Sequence, residues 1–392
     1  MTQDLEGVVA AQTRLSLVDG EGGKLILAGY AVEDLAEHAS FEEVAHLFLK
    51  GRIPDPTEHQ GFAQQLARRR EVPGAAAQLL REAAAAKASP IDALRMAVPL
   101  LTLGRAENPL DDAMTAIGSF PTLVGTYWRL LRGEAAVPVR SDLSHAAHYL
   151  HQVFGVEPTV ERARALETYL NTVCDHGLNA STFAARVIVS TRSDIISAIT
   201  GAVGALKGPL HGGAPGPALN MVFEIGTPER AETVIEARLA RGERLMGFGH
   251  RVYRVRDPRA DVLARAAEYF YSHDGDRHLY DLARSVEQTA LRLLRRHRPR
   301  RRLETNVEFY TALLLHGLGL PAELFTPTFA VGRVLGWSAH CLEQLQEGRL
   351  IRPQSSYIGP LGLRYHSACT RVASGKGTTG LTLALCPWPQ SG

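Results

Sequence analysis

The spacing of apolar residues predicts a mainly helical chain. Apolar side chains recur at intervals of three and four, the period of one helix face, in residues 41–50, 76–87, 160–173, 229–241 and 285–296. Strand-like segments do not alternate with these helices, and no unit of 20–50 residues repeats. The pattern therefore disfavours a parallel α/β sheet and a repeat array, and it favours a helical globular fold.

An early segment has a different pattern. Residues 15–27 contain two short β-prone runs on either side of a turn that is rich in glycine. Two strands joined by a tight glycine-containing turn form a β-hairpin. We therefore predict one small N-terminal β-hairpin in an otherwise helical protein.

Clusters of glycine and proline suggest where domains meet. The densest cluster is residues 207–217, and a second one, residues 317–321, follows a predicted helix. Because both residue types interrupt helices, such clusters are typical of domain borders. The prediction is a large helical domain (residues 1–211 plus 316–366), an inserted small helical domain (212–315) and a disordered tail without helical period (367–392).

Composition excludes several classes of protein. The 392 residues are 45% hydrophobic and 21% charged, with a formal net charge of +2, as in an ordinary soluble globular protein. The chain lacks the overall basic charge of nucleic-acid-binding domains, and its longest apolar segment, residues 195–206, is too short to span a membrane. No signal peptide is evident and the four cysteines form no CxxC pair, so we predict a cytoplasmic location.

Three histidines lie next to glycines and are candidates for catalysis: His176, His211 and His250. His250 stands in the motif MGFGHRVYRVRDPRA, where glycines precede it and several arginines follow it. Gly247 and Gly249 have no Cβ atom and let the backbone come close to a ligand. An imidazole beside fixed cations suits a small polyanionic substrate. Glu308 follows a predicted helix cap, Asn306, in apolar surroundings, which favour a carboxylate with a raised pKa that acts as a base.

Two other patterns are interpreted as solvated surface without a binding function. His145, His148 and His151 recur every three residues, a spacing compatible with a metal site, but no carboxylate or cysteine completes the set. We interpret them as a solvated helix face and predict no metal site. The basic run at residues 295–302 has no interleaved aromatic residue, so we interpret it as a solvated connection instead of a nucleic-acid-binding surface.

Several motifs, in this order along the chain, resemble those of the citrate synthase family: DHGLNAST (residues 175–182), GPLHGG (208–213), the His250 motif and NVEFY (306–310). The likeness begins at residues 5–11 and extends to residues 352–360, so it covers most of the chain. It implies a mainly α, two-domain, dimeric fold with a small N-terminal β-hairpin. It also implies an acyltransferase of the tricarboxylic acid cycle, which joins acetyl-CoA to oxaloacetate and hydrolyses the resulting thioester to citrate and CoA.

The resemblance implies three catalytic roles. Glu308 would remove a proton from the methyl group of acetyl-CoA, and His211 would stabilise the enol as a neutral donor to the thioester oxygen. His250 would polarise the carbonyl group of oxaloacetate. The positive end of a helix dipole near a histidine would help to keep it neutral.

The resemblance also implies binding roles for five residues. His176, Arg259 and Arg333 would bind the carboxylates of oxaloacetate, and Arg352 would reach in from the neighbouring subunit of a homodimer. Arg254 matches a position that contacts CoA phosphate, and the basic run at 295–302 offers these phosphates a second attraction. Beyond the two substrates, no metal ion and no cofactor are implied.

Two positions depart from the family pattern. Most family members have aspartate where this chain has Glu308, and Pro215-Gly216 replaces the usual Asn-Glu after the His211 motif. These departures leave two alternatives open besides citrate synthase. One is a 2-methylcitrate synthase that uses propionyl-CoA, and the other is a weakly active paralogue that binds oxaloacetate or CoA in a regulatory role.

Overall fold

The computed structural model describes residues 7–103, 108–212, 215–250, 252–299, 301–363 and 365. The residues up to Ile351 form one unit, and a second unit begins at Arg352. The predicted division into a large and an inserted small domain stays a prediction. The predicted tail, residues 367–392, lies outside the described residues.

A small antiparallel sheet forms near the N-terminus, as the sequence pattern predicts. Strands β1 (Ser16–Asp19) and β2 (Lys24–Leu27) pair so that Ser16 faces Leu27, with the glycine-rich turn between them. A third strand, β3 (Tyr30–Ala31), pairs with β2 and was not predicted. Two residues are too few to show an alternating pattern.

The hairpin turn packs against the loop that follows His250. The backbone N–H of Arg254 donates to the carbonyl oxygen of Gly20 at 2.8 Å. A Cβ atom at Gly20 would lie 3.0 Å from the carbonyl carbon of Val252 and closer still to its oxygen. Only glycine fits here without displacing the loop, so the hairpin helps to position the His250 segment.

Sixteen α-helices account for most of the described residues, which confirms the mainly α class. They are α1 (Val32–His38), α2 (Phe41–Lys50), α3 (Pro56–Ala67), α4 (Gly74–Ala85), α5 (Pro90–Ala97), α6 (Pro109–Leu131), α7 (His145–Phe154), α8 (Val160–Val173), α9 (Ala180–Ser190), α10 (Ile195–Leu206), α11 (Pro215–Ile225), α12 (Ala231–Ala240), α13 (Pro258–His273), α14 (Arg277–His297), α15 (Val307–Gly317) and α16 (Phe325–Glu347). Short 3-10 turns at Val98–Thr102, Pro228–Arg230 and Ala322–Leu324 lie between some of them.

Local capping explains where many of these helices begin. Ser40 and Glu43 form a reciprocal capping box at the start of α2, which has the predicted bounds. Asp257 caps α13, with Pro258 at its first position, as proline's fixed φ favours. Helix α14 is longer than the predicted 285–296, because its capping residue, Asp276, lies upstream of the periodic stretch.

Two long helices, α6 and α16, run through the core. Most side chains of α6 are buried, and Trp337 of α16 is fully buried. The hydroxyl groups of Tyr149 and Thr328 are 2.7 Å apart and join α7 to α16 inside the apolar interior. Within the described residues, no helix is long and apolar enough to cross a membrane.

The interpretation of the histidines on α7 as a solvated face is wrong. His145 and His148 are fully buried; His145 stacks on Phe41 with ring centroids 4.2 Å apart, and His148 Nε2 lies 3.2 Å from the hydroxyl of Thr122. Burial lowers the pKa of His148 to about 3, so the ring is neutral at neutral pH and packs as an aromatic group. The described residues contain no cluster of three metal-ligating side chains.

The crossing of α6 and α7 offers a test of close packing. A Cβ atom at Gly125 of α6 would lie 2.6 Å from the carbonyl carbon of Gln152. We expect Gly125→Ala to lower the free energy of unfolding by about 1–3 kcal/mol, as overpacking does. Gly61→Ala on α3, where a Cβ meets nothing within 4 Å, should instead raise it by about 0.5–1 kcal/mol. Urea unfolding of both variants would measure this, and equal stabilities would contradict the proposed contact.

Candidate active site

The loop carrying His250 is tied to the start of α15 by backbone hydrogen bonds. The N–H of Gly249 donates to Glu304 O at 2.7 Å, and the N–H of Asn306 donates to Gly247 O at 3.0 Å. The side-chain amide of Asn306 also donates to Gly249 O at 2.7 Å. These bonds fix the segment of His250 next to the segment of Glu308.

The two glycines of this motif have the left-handed backbone that favours glycine. Gly247 has φ +88° and Gly249 has φ +82°. A Cβ atom at Gly247 would lie 3.0 Å from the ring of Phe309. The group that approaches Gly247 is helix α15, and the close approach of a ligand to these glycines stays a prediction.

Glu308 lies in the first turn of α15. Its backbone N–H donates to the side-chain oxygen of Asn306 at 3.0 Å, which confirms Asn306 as the helix cap. Burial raises the pKa of Glu308, and the positive charge of Arg259 partly opposes that rise. A carboxylate with a raised pKa is a stronger proton acceptor once it is ionised.

The hydrogen bonds of His250 select one tautomer. Its Nδ1 accepts from the backbone N–H groups of Val252 at 3.0 Å and Tyr253 at 3.1 Å. A neutral imidazole has one ring hydrogen, which must then reside on Nε2. Arg259 Nη2 is 3.3 Å from Nε2, so a guanidinium group lies directly beside the ring N–H of His250.

Two of the residues predicted to bind dicarboxylate, His176 and Arg259, lie beside His250. The ring centroids of His176 and His250 are 5.9 Å apart, and His176 Nε2 is 3.2 Å from the hydroxyl of Tyr253. Asp257 holds the buried Arg259 through bonds of 3.0 and 2.8 Å. The charges of Arg259 and of Arg333 both act on His176, after burial itself, to lower its pKa.

Arg333 is buried at 1% exposure and donates from Nε to Val173 O at 2.6 Å. Burial lowers its pKa to about 10, which leaves the guanidinium charged at neutral pH. The negative charge of Asp175 opposes this effect and partly compensates the guanidinium. Arg333 therefore holds a fixed positive charge in the interior, where it strengthens the attraction for an anion.

His211 follows the end of α10. Its Nε2 is 2.8 Å from the hydroxyl of Ser181, which also accepts from the indole N–H of Trp337 at 3.0 Å. Burial, followed by the charge of Arg333, lowers the pKa of His211 to about 4. Burial is therefore the largest cause of the neutrality predicted for this ring. Among the described residues, no hydrogen bond joins His211 to His250 or Glu308.

A cationic cavity opens beside His250. It has a volume of about 900 Å³, and its basic lining residues are Arg244, Arg254, Arg298, Arg301 and Arg302. The side chain of Arg254 is exposed. The basic run of the sequence therefore does more than connect two helices, because three of its arginines line this cavity. Arg352 begins the second unit, and its role stays a prediction.

Sequence reasoning missed three groups that support the site. Asp257 orients Arg259, Tyr253 contacts His176, and Trp337 contacts Ser181. Asp257 and Tyr253 lie inside the His250 motif, so their position in the sequence was a usable signal. Trp337 lies far along the chain in α16, and no local pattern connects it with His211.

Known proteins match this chain over nearly its whole length. The family model described as citrate synthase, C-terminal domain, matches residues 4–354. Citrate synthase 2 of Bacillus subtilis is 40% identical, over 92% of this chain and 96% of its own. The chain belongs to the citrate synthase family. The 2-methylcitrate synthase of Mycobacterium tuberculosis is 38% identical, over 91% of this chain and 90% of its own.

Solved structures of the citrate synthase family have the same fold. The enzyme of Pyrobaculum aerophilum matches with a TM-score of 0.84 and 38% identity, over 93% of this chain and 94% of that one. The ternary complex of the Thermoplasma acidophilum enzyme with carboxymethyl coenzyme A and oxaloacetate matches with a TM-score of 0.83 and 32% identity, over 94% and 99%. The family resemblance and the helical fold class are thereby confirmed.

The low pKa values of His211 and His250 predict how these two rings titrate. His211 and His250 both have a pKa of about 4, so both rings should stay neutral from about pH 5 upward. Unfolded histidine titrates near 6.5, so between these values the unfolded chain binds more protons. The free energy of unfolding should therefore fall as the pH drops from about 6.5 to about 4.

Nitrogen-15 NMR of histidine-labelled protein would measure this titration. His211→Gln and His250→Gln variants serve to assign the two signals. A ring that becomes protonated near pH 6.5 in the folded protein would contradict the neutral state that burial predicts.

Proposed function

We propose that this chain is a citrate synthase, which condenses acetyl-CoA with oxaloacetate and then hydrolyses the citryl thioester to citrate and CoA. The observation that carries the proposal is the direct backbone connection between the His250 loop and the start of the Glu308 helix. It joins a candidate base to a candidate carbonyl-polarising donor. Family membership supports the same reaction.

The first step requires a base and an oxyanion donor. Glu308 would remove a proton from the methyl group of the thioester, and its raised pKa suits that task. The hydroxyl of Ser181 has one hydrogen, which it can donate either to Oδ1 of Asn179 at 2.8 Å or to Nε2 of His211 at 2.8 Å. When it donates to Nε2, the ring hydrogen of His211 resides on Nδ1. That nitrogen could then donate to the thioester oxygen, where the negative charge of the enolate develops.

The second step requires a polarised ketone. The Nε2–H of His250 and the guanidinium of Arg259 are neighbours, and the carbonyl oxygen of oxaloacetate would accept from both. His176, Arg259 and Arg333 would bind the carboxylates, since forked guanidinium groups suit carboxylates better than ammonium groups do. Neither condensation nor hydrolysis transfers electrons to a carrier, so the proposed reaction needs no redox cofactor.

The cationic cavity would receive the nucleotide part of coenzyme A. Coenzyme A carries a diphosphate and a 3′-phosphate, and the arginines of the cavity could pair with these groups. Arg254 is the cavity residue that the family resemblance assigned to this role. A homodimer in the cytoplasm, with Arg352 completing the neighbouring subunit's site, belongs to the same proposal.

A second candidate is 2-methylcitrate synthase activity with propionyl-CoA. The Mycobacterium tuberculosis relative of that name is nearly as similar to this chain as the Bacillus subtilis citrate synthase is. The two reactions differ by one methyl group on the acyl chain. A hydrophobic pocket discriminates between substrates that differ by one methylene by only about 1–3 kcal/mol. An enzyme for one acyl-CoA can therefore also accept the other, and both substrates have to be compared in the same assay.

Thiol release with acetyl-CoA and with propionyl-CoA, each with oxaloacetate, tests the proposal. We expect kcat/KM to be higher for acetyl-CoA, and Glu308→Gln to lower kcat at least about 100-fold, because an amide cannot accept the proton. Oxaloacetate binding, measured by calorimetry, should stay largely intact in this variant.

Glu323→Gln, at an exposed glutamate, is the control and should keep wild-type turnover. A higher kcat/KM for propionyl-CoA would favour the second candidate. Ligand binding without turnover in the wild type would favour the regulatory paralogue. Unchanged turnover of Glu308→Gln would exclude Glu308 as the base.

The cavity arginines give a separate prediction about CoA. Arg254→Gln and Arg302→Gln should each raise KM for acetyl-CoA about tenfold, and the effect should shrink at high salt because exposed charge pairs are screened. Arg277→Gln serves as the control, since that arginine pairs with Asp281 on an exposed face of α14. Steady-state kinetics at two salt concentrations measure this. An equal KM in all three variants would mean that the cavity does not bind CoA phosphate.

A further inference from the structure

A buried carboxylate outside the predicted site joins the two segments that carry His250 and Glu308. Glu287 of α14 is 2% exposed. Its Oε1 accepts from Arg256 Nη1 at 3.0 Å and from the hydroxyl of Thr305 at 2.7 Å. Its Oε2 accepts from the hydroxyl of Tyr310 at 2.5 Å and from Arg284 Nη1 at 2.8 Å. Each oxygen therefore has two donors.

Three of these donors belong to the segments of the candidate active site. Arg256 lies in the loop between His250 and Arg259. Thr305 and Tyr310 lie on either side of Glu308, one just before the helix cap and one in the helix. The fourth donor, Arg284, belongs to α14 itself. One carboxylate thus links α14 to the His250 loop and to the start of α15.

The donors keep this carboxylate ionised. Burial alone would raise the pKa of Glu287, but its bonds from Tyr310, Thr305 and Arg256 outweigh burial, so that the pKa is lowered. The removal of a buried charge that is bonded at every acceptor position is strongly unfavourable, because its partners lose their counter-charge. Glu287 should therefore hold the His250 loop and the start of α15 rigidly against α14.

The two arginines proposed to bind oxaloacetate are held in place by other contacts. Arg259 is held by Asp257 through two bonds, and Arg333 is held by the carbonyl of Val173. Neither contact involves Glu287. A change at Glu287 should therefore disturb the relation between His250 and Glu308 more than it disturbs the binding of the dicarboxylate.

We propose that Glu287 is a positioning residue that holds the His250 loop and the Glu308 helix in register for the condensation. The proposal rests on the function proposed above. Glu287 touches no substrate in this arrangement and acts through Arg256, Thr305 and Tyr310. A misplacement of about 1 Å between reacting groups costs on the order of 10²-fold in rate.

The test is Glu287→Gln in the full-length protein. Glutamine has nearly the same shape, but its amide nitrogen cannot accept from the two donors on that side. We expect kcat to fall about 30- to 100-fold, with KM for oxaloacetate changed less than about threefold. Asp281→Asn is the matched control, because it removes an exposed carboxylate that pairs with an arginine on the same helix. It should leave both constants unchanged.

Binding stoichiometry separates positioning from unfolding. Calorimetry with oxaloacetate should find the wild-type number of sites per chain in Glu287→Gln. A fall in the number of sites that matches the fall in kcat would overturn the proposal, because the loss would then reflect a smaller folded fraction. A kcat within twofold of the wild type would also overturn it.

Tyr310→Phe provides a second route if Glu287→Gln fails to fold. It removes one donor and should lower kcat about three- to tenfold without affecting the oxaloacetate sites. If Glu287→Gln folds, the double variant with Tyr310→Phe should have a kcat only slightly below that of Glu287→Gln alone, since both changes break the same contact. An unchanged kcat in Tyr310→Phe, or full additivity in the double variant, would contradict the proposal.

Crystal structures distinguish this proposal from the proposed function. In Glu287→Gln we expect the His250 loop to move by about 1 Å relative to α15, and no such shift in Asp281→Asn. This measurement does not depend on turnover. A wild type without thiol release would refute the proposed reaction alone, whereas an unmoved loop would refute the role of Glu287.

Discussion

The candidate site depends on a short backbone connection between two segments that are distant in sequence. Residues 247–249 and 304–306 exchange hydrogen bonds, and Phe248 pairs with Thr305 in an antiparallel bridge. This connection requires left-handed backbone at two glycines, because a side chain there would collide with α15 or strain the loop. A base and a polarising donor act together only when their separation is fixed, so the other features of the site follow from this connection.

The pocket around this connection combines buried, positively charged arginines with neutral histidines. Two buried arginines supply positive charge, yet the neighbouring histidines are neutral, because burial and the arginine charges both disfavour a second cation. Neutral rings can donate a hydrogen bond without binding a further proton. The result is a pocket that attracts an anion and still offers uncharged donors, which is what stabilisation of a developing oxyanion requires.

The histidines of α7 show where local patterns mislead. His145 and His148 looked like a solvated face because histidine is a polar residue, yet the helix lies in the interior with Phe41 against one ring. The basic run at residues 295–302 was interpreted as a connection, and the structure places three of its arginines along the cavity beside His250. In each case the residues were read correctly as polar or charged, but their surroundings came from other parts of the chain.

The amino-acid sequence by itself determined the helices, the hairpin and the identity of the candidate side chains. These features are local: the spacing of apolar residues, the capping residues and the histidines next to glycines can each be recognised within a short stretch of sequence. The tertiary structure alone decided which groups meet: Ser181 with His211, the hairpin turn with the His250 loop, and Glu287 with three donors from two other segments. Those contacts depend on how whole helices pack, and packing is set by the sum of many side-chain shapes that no short stretch of sequence contains.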